Sequence, residues 1–185
     1  MKKIIFLLAV SSLAACHKTN TQPTTSFDMQ YSSTQALQLG SGSDYNTPVT
    51  DAGATMSFAP VRVAINAQQY FDKYHTTSNN VVTTYLGGVN LDIPTPGNHY
   101  FDFSDNLELY ISGNSQPEVL VAYDYSIPKG LKSINLTLAP GVNLKNYIVN
   151  DSITIRLSAH VNYIPVAGAQ IVSTGVFKVT ANPVQ

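Results

Sequence analysis

The chain has 185 residues, of which only 11% are charged, with 10 basic and 11 acidic side chains. Average globular proteins carry about 25% charged residues, so most of the polarity here comes from uncharged side chains. Without a basic face the chain is not expected to bind nucleic acid. A single cysteine and 4 scattered histidines predict neither a metal site nor a cofactor.

The first segment has the layout of a secretory signal. Lys2 and Lys3 begin it, Ile4 to Val10 form an apolar run, and Ser11 to Ala15 are mostly small residues. Because a membrane-spanning helix needs roughly 20 apolar residues, this shorter run predicts a cleaved leader and not an anchor.

Leu13-Ala14-Ala15-Cys16 resembles the lipobox of bacterial lipoproteins. The resemblance implies cleavage before Cys16, diacylglycerol on its sulfur and three acyl chains, which suffice for stable membrane anchoring. It divides the chain into a signal peptide at 1–15, a lipidated cysteine with a flexible stalk at 16–25, and a domain at 26–185. The alternative is an ordinary leader with an accidental cysteine.

His17 stands after the cysteine, where the best-known sorting rule for such lipoproteins reads Asp as retention in the inner membrane. By that resemblance, we expect a cell-envelope protein of the outer membrane. The periplasmic leaflet and the surface leaflet are both open alternatives.

From Phe27 onward, apolar residues recur at every second position. This spacing is typical of strands with one face on a core. It recurs in the segments that begin near Phe27, Val61, Leu107, Val119, Ile134 and Ile153.

Turn signals separate these strand segments, among them Gly40 to Asp44, Pro128-Lys129-Gly130 and Pro140-Gly141. Half-exposed strands joined by short loops are typical of antiparallel sheets. The sequence therefore predicts an all-β fold, an antiparallel sandwich of about 7–9 strands. Gly87-Gly88 and Gly175 fall inside strand-like segments and predict bulges or bends.

Two segments depart from the strand pattern. Ala67 to Tyr74 and Val142 to Val149 each place bulky apolar residues three or four positions apart. We expect one or two short helices that cap the sandwich.

The region from Ser26 to Pro183 resembles the immunoglobulin-like sandwiches of uncharacterised lipoproteins from two-membrane bacteria. The residues that carry the resemblance are Phe101-Asp102-Phe103, Leu107 to Ser112, Leu144-Lys145-Asn146-Tyr147 and Ala181-Asn182-Pro183. The resemblance implies an immunoglobulin-like architecture and no assigned chemistry. The Cys, Trp, Cys core of true immunoglobulin domains is missing.

Candidate ligand contacts lie on one strand face. Arg156, Ser158 and His160 share a face because side chains two positions apart point the same way. Tyr110 falls on the polar side of its strand, and exposed tyrosines can stack on sugar rings. Tyr85, Tyr100 and Tyr163 near strand ends extend this candidate set. The alternative is ordinary packing, since tyrosine favours strands.

Asp102, Asp105 and Glu108 form an acidic cluster. Paired carboxylates can hydrolyse glycosidic bonds or bind calcium. Asp105-Asn106 equally fits a turn that opens a strand. No catalytic serine or phosphate-binding motif occurs, and His17, His75 and His99 fit a solvated surface.

Asp151-Ser152-Ile153 resembles a short O-glycosylation acceptor of exported bacterial proteins, with Ser152 as the modified residue. The alternative is a turn that leads into a strand.

Together these patterns predict a lipid-anchored envelope lipoprotein that is not an enzyme and serves as a binding or structural module. Its expected partners are the membrane, through lipid on Cys16, and an envelope protein or a glycan. The alternatives are a carbohydrate-binding lipoprotein and a glycan hydrolase that uses Asp102 and Glu108.

Overall fold

The computed structural model describes residues 23–36, 54–94, 100–113, 115–162 and 170–184. The signal peptide, Cys16, His17, Gly40 to Asp44, His99 and Tyr163 lie outside these ranges, so the predictions made for them stay predictions. Within the described ranges the predicted antiparallel all-β sandwich is confirmed.

Two antiparallel sheets contain the strands. In chain order the strands are β1 (Thr25–Ala36), β2 (Ala54–Ser57), β3 (Val61–Ala64), β4 (Val81–Asp92), β5 (Ser104–Ser112), β6 (Val119–Asp124), β7 (Ser133–Asn135), β8 (Thr137–Leu138), β9 (Ser152–Val161) and β10 (Gln170–Ala181). Sheet I has the order β1-β10-β4-β7. Sheet II has the order β2-β9-β5-β6-β8, with β3 also on β9. The described strands thus number 10, slightly above the expected 7–9, because short segments at the edges pair separately.

The strand pairs are nested in the sequence. β1 pairs with β10, β2 and β3 with β9, β4 with β7, and β5 with β6, so each pair encloses the next. Further pairing of β10 with β4 and of β9 with β5 joins these pairs into the sheets. This folded-over hairpin is the connectivity of a jelly roll, within the sandwich class that the sequence predicted.

The core fills the space between the sheets. The alternating apolar residues meet there, for example Phe27, Met29 and Tyr31 of β1, Leu107, Leu109 and Ile111 of β5, and Ile153, Ile155 and Leu157 of β9. The period-two pattern therefore identified the buried face of these strands correctly. The remaining alternate positions form two outer faces.

One of the two candidate capping segments forms a helix. α1 spans Ala67–Lys73, with Phe71 buried against the core. The Phe27 ring lies 4.4 Å from the ring of Tyr74 in a stacked arrangement and 6.4 Å from that of Phe71 edge-on. These contacts hold α1 against the start of β1.

The other candidate segment forms no helix, so the described ranges contain one capping helix of the one or two expected. Val142 to Val149 forms a turn, with Leu144 and Ile148 buried. The Asn143 side-chain oxygen accepts hydrogen bonds from the backbone N–H groups of Lys145 (3.0 Å) and Thr84 (3.1 Å). The Leu144 carbonyl then accepts from the backbone N–H groups of Tyr147 at 2.9 Å and Ile148 at 3.3 Å, so the segment makes one turn that does not continue as a helix.

The glycines in the strands have distinct roles. The register between β10 and β4 shifts at Gly87, where the predicted bulge is found. Gly175 faces Tyr31 across β1 and β10, and the buried Tyr31 ring covers it. The Tyr31 hydroxyl lies 3.3 Å from the Ser173 hydroxyl, and burial raises the pKa of Tyr31 to about 12.

We expect Gly175→Ala to lower the free energy of unfolding by about 1–3 kcal/mol through overpacking. A Cβ at this position would lie 2.7 Å from Cζ of Tyr31. Gly88→Ala is the matched control, because a Cβ there meets nothing within 4 Å, and it should be neutral or stabilise by up to about 1 kcal/mol. Urea unfolding measures both, and equal losses would contradict the packing role of Tyr31.

Candidate functional site

The outer face of sheet II carries the residues that the sequence singled out. Tyr110 of β5 lies beside Arg156 of β9, and Glu108 lies beside Ser158, as cross-strand neighbours. We call the connected set Glu108, Tyr110, Glu118, Tyr125 and Arg156 the tyrosine–arginine network.

Arg156 is held on three sides within this network. Its Nε and Nη2 donate to the two carboxylate oxygens of Glu118 at 2.8 and 2.6 Å, and Nη1 donates to the Ser57 hydroxyl at 3.0 Å. Its Cζ lies 4.3 Å from the Tyr110 ring centroid, within cation–π range. The guanidinium therefore already has a bidentate carboxylate partner and a ring beneath it.

Glu108 occupies the other half of the network. Its carboxylate accepts hydrogen bonds from the Tyr110 hydroxyl at 2.7 Å and from the Tyr125 hydroxyl at 3.2 Å. Partial desolvation and the nearby Glu108 carboxylate raise the pKa of Tyr110 to about 12, and Arg156 offsets part of this rise. The ring of Tyr125 also stacks on that of Tyr123, with centroids 4.6 Å apart.

Ser158 and His160 continue the predicted polar row along β9. Ser158 is buried, although its position belongs to the outer face, and it lies between Ser57 and Glu108 in register. The backbone N–H of His160 donates to the Asn106 side chain at 2.8 Å, and its carbonyl accepts from the Ser104 hydroxyl at 2.8 Å. The structure thus brings Tyr110 and Arg156 into contact and leaves His160 further along the strand.

The other tyrosines from the sequence are dispersed. Tyr85 is exposed on β4 of sheet I, opposite Lys178 in register. Tyr100 precedes β5, and Lys132 Nζ lies 5.2 Å from its ring centroid. Neither belongs to the face that carries Tyr110, Tyr123 and Tyr125.

A shallow depression of about 760 Å³ lies on the outer face of sheet I. One cross-strand row runs through it, from Ser32 to Thr174, Asn90 and Asn135 in successive strands. We call it the amide groove, and define it by Gln30, Ser32, Gly88, Asn90, Asn135 and Thr174.

Polar atoms of the amide groove remain available to a ligand. Asn90 Nδ2 donates to the Ser133 hydroxyl at 2.9 Å, the Ile134 carbonyl at 3.2 Å and Asn135 Oδ1 at 3.1 Å, and no hydrogen bond between described residues uses Asn90 Oδ1 or Asn135 Nδ2. Between described residues, no hydrogen bond involves the side chains of Gln30, Ser32 or Thr174. Sequence reasoning missed this site, and its only local signals were Gly88 and the polar residues alternating in β1.

The acidic cluster has local structural roles. Asp102 Oδ1 accepts a hydrogen bond from the Gly130 backbone N–H at 2.6 Å, and the Asp105 carbonyl accepts from that of Ile127 at 3.1 Å. Both contacts hold the loop after β6. The carboxylate of Glu108 bonds to the hydroxyls of Tyr110 and Tyr125, and that of Asp102 bonds to Gly130. In the part of the chain described, the two carboxylates share no hydrogen-bonding partner.

Asp151 and Ser152 connect β9 to α1 and β3. Asp151 Oδ1 accepts from the backbone N–H of Gln68 at 2.9 Å, in the first turn of α1, and Arg62 Nε donates to the Ser152 hydroxyl at 2.9 Å. These contacts fit the expected turn into a strand. Glycosylation of Ser152 stays a prediction.

His75 has a left-handed backbone (φ 50°) just after α1, and its carbonyl accepts from the backbone N–H of Val184 at 2.8 Å. Its side chain is exposed. Across the described ranges, the His, Cys, Asp and Glu side chains form no group of three or more able to hold a metal ion. Nor does any helix there have the length and apolar character to cross a bilayer.

Comparisons with known proteins identify no family. No protein-family model matches the chain, and no curated protein matches it. Among solved structures, the decameric BFDV capsid protein is similar at 9% identity and a TM-score of 0.40, covering 86% of this chain and 99% of that one. Desmodium yellow mottle tymovirus is similar at 12% identity and a TM-score of 0.30, covering 100% and 97%. Both scores are low, and nothing about the function of this chain follows from them.

We expect Arg156→Ala to lower the free energy of unfolding by about 1–2 kcal/mol, because it removes a bidentate ion pair and a cation–π contact. Lys178→Ala is the control. It breaks the exposed pair with Asp28, where the side chains are 62% and 56% accessible, and should cost less than about 0.5 kcal/mol. Chemical denaturation measures both, and equal effects would show that the Arg156 contacts add no stability.

The Tyr110 phenol should make stability depend on alkaline pH. Its pKa rises from 10.0 to about 12 on folding. The stabilisation that the protonated Tyr110 phenol gives the folded state is therefore complete at a pH below its pKa in the unfolded chain. It is lost as the pH rises through its pKa in the folded protein. In an ultraviolet titration, Tyr110→Phe should remove one late-ionising phenol, and Tyr31→Phe should remove another. A Tyr110→Phe curve that superimposes on the wild-type curve would contradict this.

Proposed function

We propose that the chain is a lipid-anchored binding module of the bacterial cell envelope, without catalytic activity of its own. Residues 1–15 act as its leader, and Cys16 carries the lipid. The sandwich is held close to the membrane by the short stalk and offers its outer faces to a partner.

The lipobox-like Leu13-Ala14-Ala15-Cys16 supports the anchor. The observation that carries the binding role is the amide groove, where fixed polar groups remain open to a ligand. Binding is favoured over hydrolysis because the carboxylates considered as a catalytic pair, Asp102 and Glu108, have separate local partners.

A second candidate function is carbohydrate binding through the outer face of sheet II. The observation in its favour is that Tyr110, Tyr123 and Tyr125 share this face, and that Tyr125 is 56% exposed. An exposed ring can stack on a sugar. Arg156 contributes less to such a site, since Glu118 and Ser57 already accept its hydrogen bonds.

Changing the proposed lipid acceptor tests the anchor. We expect Cys16→Ser to move the protein from the membrane fraction to the soluble fraction, because no thiol remains to be acylated. Ser11→Ala in the leader is the matched control and should stay with the membranes. Fractionation followed by intact-mass analysis reads out both, and a wild-type Cys16 with a bare thiol would refute the anchor.

A further inference from the structure

We propose that the amide groove of sheet I binds a neutral oligosaccharide chain. This inference rests on the proposed role as a binding module, names the class of its ligand, and uses a face opposite to the one that the tyrosines suggest.

The chemistry of the lining predicts a neutral ligand. Three carboxamides and two hydroxyls, from Gln30, Asn90, Asn135, Ser32 and Thr174, supply its polar groups, since the hydroxyl of the third hydroxyl-bearing residue, Tyr31, is buried against Ser173. None of the described residues lining this depression is charged. An anionic or cationic ligand would therefore lose its hydration without gaining a counter-charge.

Amides and hydroxyls both donate and accept hydrogen bonds, as the hydroxyls of a sugar do. Asn90 Nδ2 donates to Asn135 Oδ1, whereas no hydrogen bond between described residues uses the acceptor Asn90 Oδ1 or the donor Asn135 Nδ2. These two amide groups can therefore accept from and donate to the hydroxyls of a sugar. Because the bond orients both amides before binding, less side-chain entropy is lost on association.

The shape of the groove favours a chain of sugar units over a single unit. The row from Ser32 to Asn135 crosses four strands, a span on the order of 14 Å. Gln30 and Ala64 also line an adjoining depression of about 300 Å³ next to α1, where Lys73 is the one charged residue among the described lining. Tyr70 lies there, its hydroxyl 3.4 Å from the Gln30 backbone nitrogen, and offers a ring at that end.

A peptide fits this surface less well. Extended peptides gain affinity mainly by adding a strand to an open sheet edge. The groove lies on a sheet face, where the backbone groups of β10 and β4 pair with each other. Only side chains can contact a ligand here. A ligand rich in hydroxyl groups is therefore favoured over a peptide that binds through its main chain.

The experiment uses the full lipidated protein in nanodiscs, with cellohexaose, maltohexaose and mannohexaose as probes and calorimetry as the readout. We expect at least one hexasaccharide to bind. Gly88→Val should weaken that binding by about tenfold or more, because its side chain enters the groove where a Cβ meets nothing within 4 Å. Valine also favours strands, so the variant should remain folded.

Thr174→Val keeps the side-chain shape while it removes one hydroxyl, and should weaken binding several-fold. Val82→Ala, at an exposed position at the start of β4 outside both candidate sites, is the matched control and should leave affinity unchanged, and Tyr125→Ala tests the alternative site on sheet II. Thermal unfolding confirms that each variant is intact.

Three results would overturn the inference. One is no binding of any hexasaccharide at millimolar concentration. Another is loss of binding in Tyr125→Ala with full binding in Gly88→Val, which would assign the sugar to the tyrosine face. The third is tighter binding of a neutral acetylated hexapeptide than of every sugar. The anchor is judged separately through Cys16→Ser, so failure of the groove and failure of the envelope role are distinguishable.

Discussion

Packing of two sheets against each other is the constraint on which the rest of the molecule depends. It requires every second residue of a strand to be apolar and buried, as in β1, β5 and β9. The intervening residues are then free to vary, and they form the two outer faces. Both candidate sites are built from these intervening residues, so the core positions them without taking part in their chemistry.

The polar groups of the two outer faces differ in how far they hydrogen-bond to other groups of the protein. On sheet II, the strongest hydrogen-bonding groups, those of Arg156, Glu118 and Glu108, bond to one another and to tyrosines. On sheet I, small side chains and amides leave a depression whose groups are only partly used. One face is thus stabilised internally, whereas the other has polar groups that make few hydrogen bonds within the described structure.

Local pattern was enough to predict much of the fold. The alternation at Leu107 to Ile111 and Ile153 to Leu157 identified β5 and β9 with their buried faces, and the spacing after Ala67 identified α1. Val142 to Val149 misled because its apolar spacing is helical, whereas the chain makes only one turn there, closed by the Leu144 carbonyl and the N–H of Ile148. The spacing of apolar residues alone does not distinguish a single turn from a helix.

The sites depend on register, which a single sequence does not contain. Arg156 and Tyr110 were both expected on polar faces, but their contact needs the alignment of β9 with β5. The amide groove needs the alignment of β1, β10, β4 and β7, strands far apart in the chain. The proposed lipid anchor, by contrast, depends only on the consecutive residues Leu13 to Cys16, so it could be proposed from the sequence directly.

The position of β10 has a kinetic consequence. It lies between β1 and β4, and its twelve residues pair without interruption with those of β1. Closing so long a stretch of chain is entropically slow. When the polypeptide emerges amino end first, β1 therefore stays unpaired until β10, the last strand, has emerged. A chain truncated before β10 lacks a central strand of sheet I, so it is open to proteolysis and does not form a slightly smaller domain.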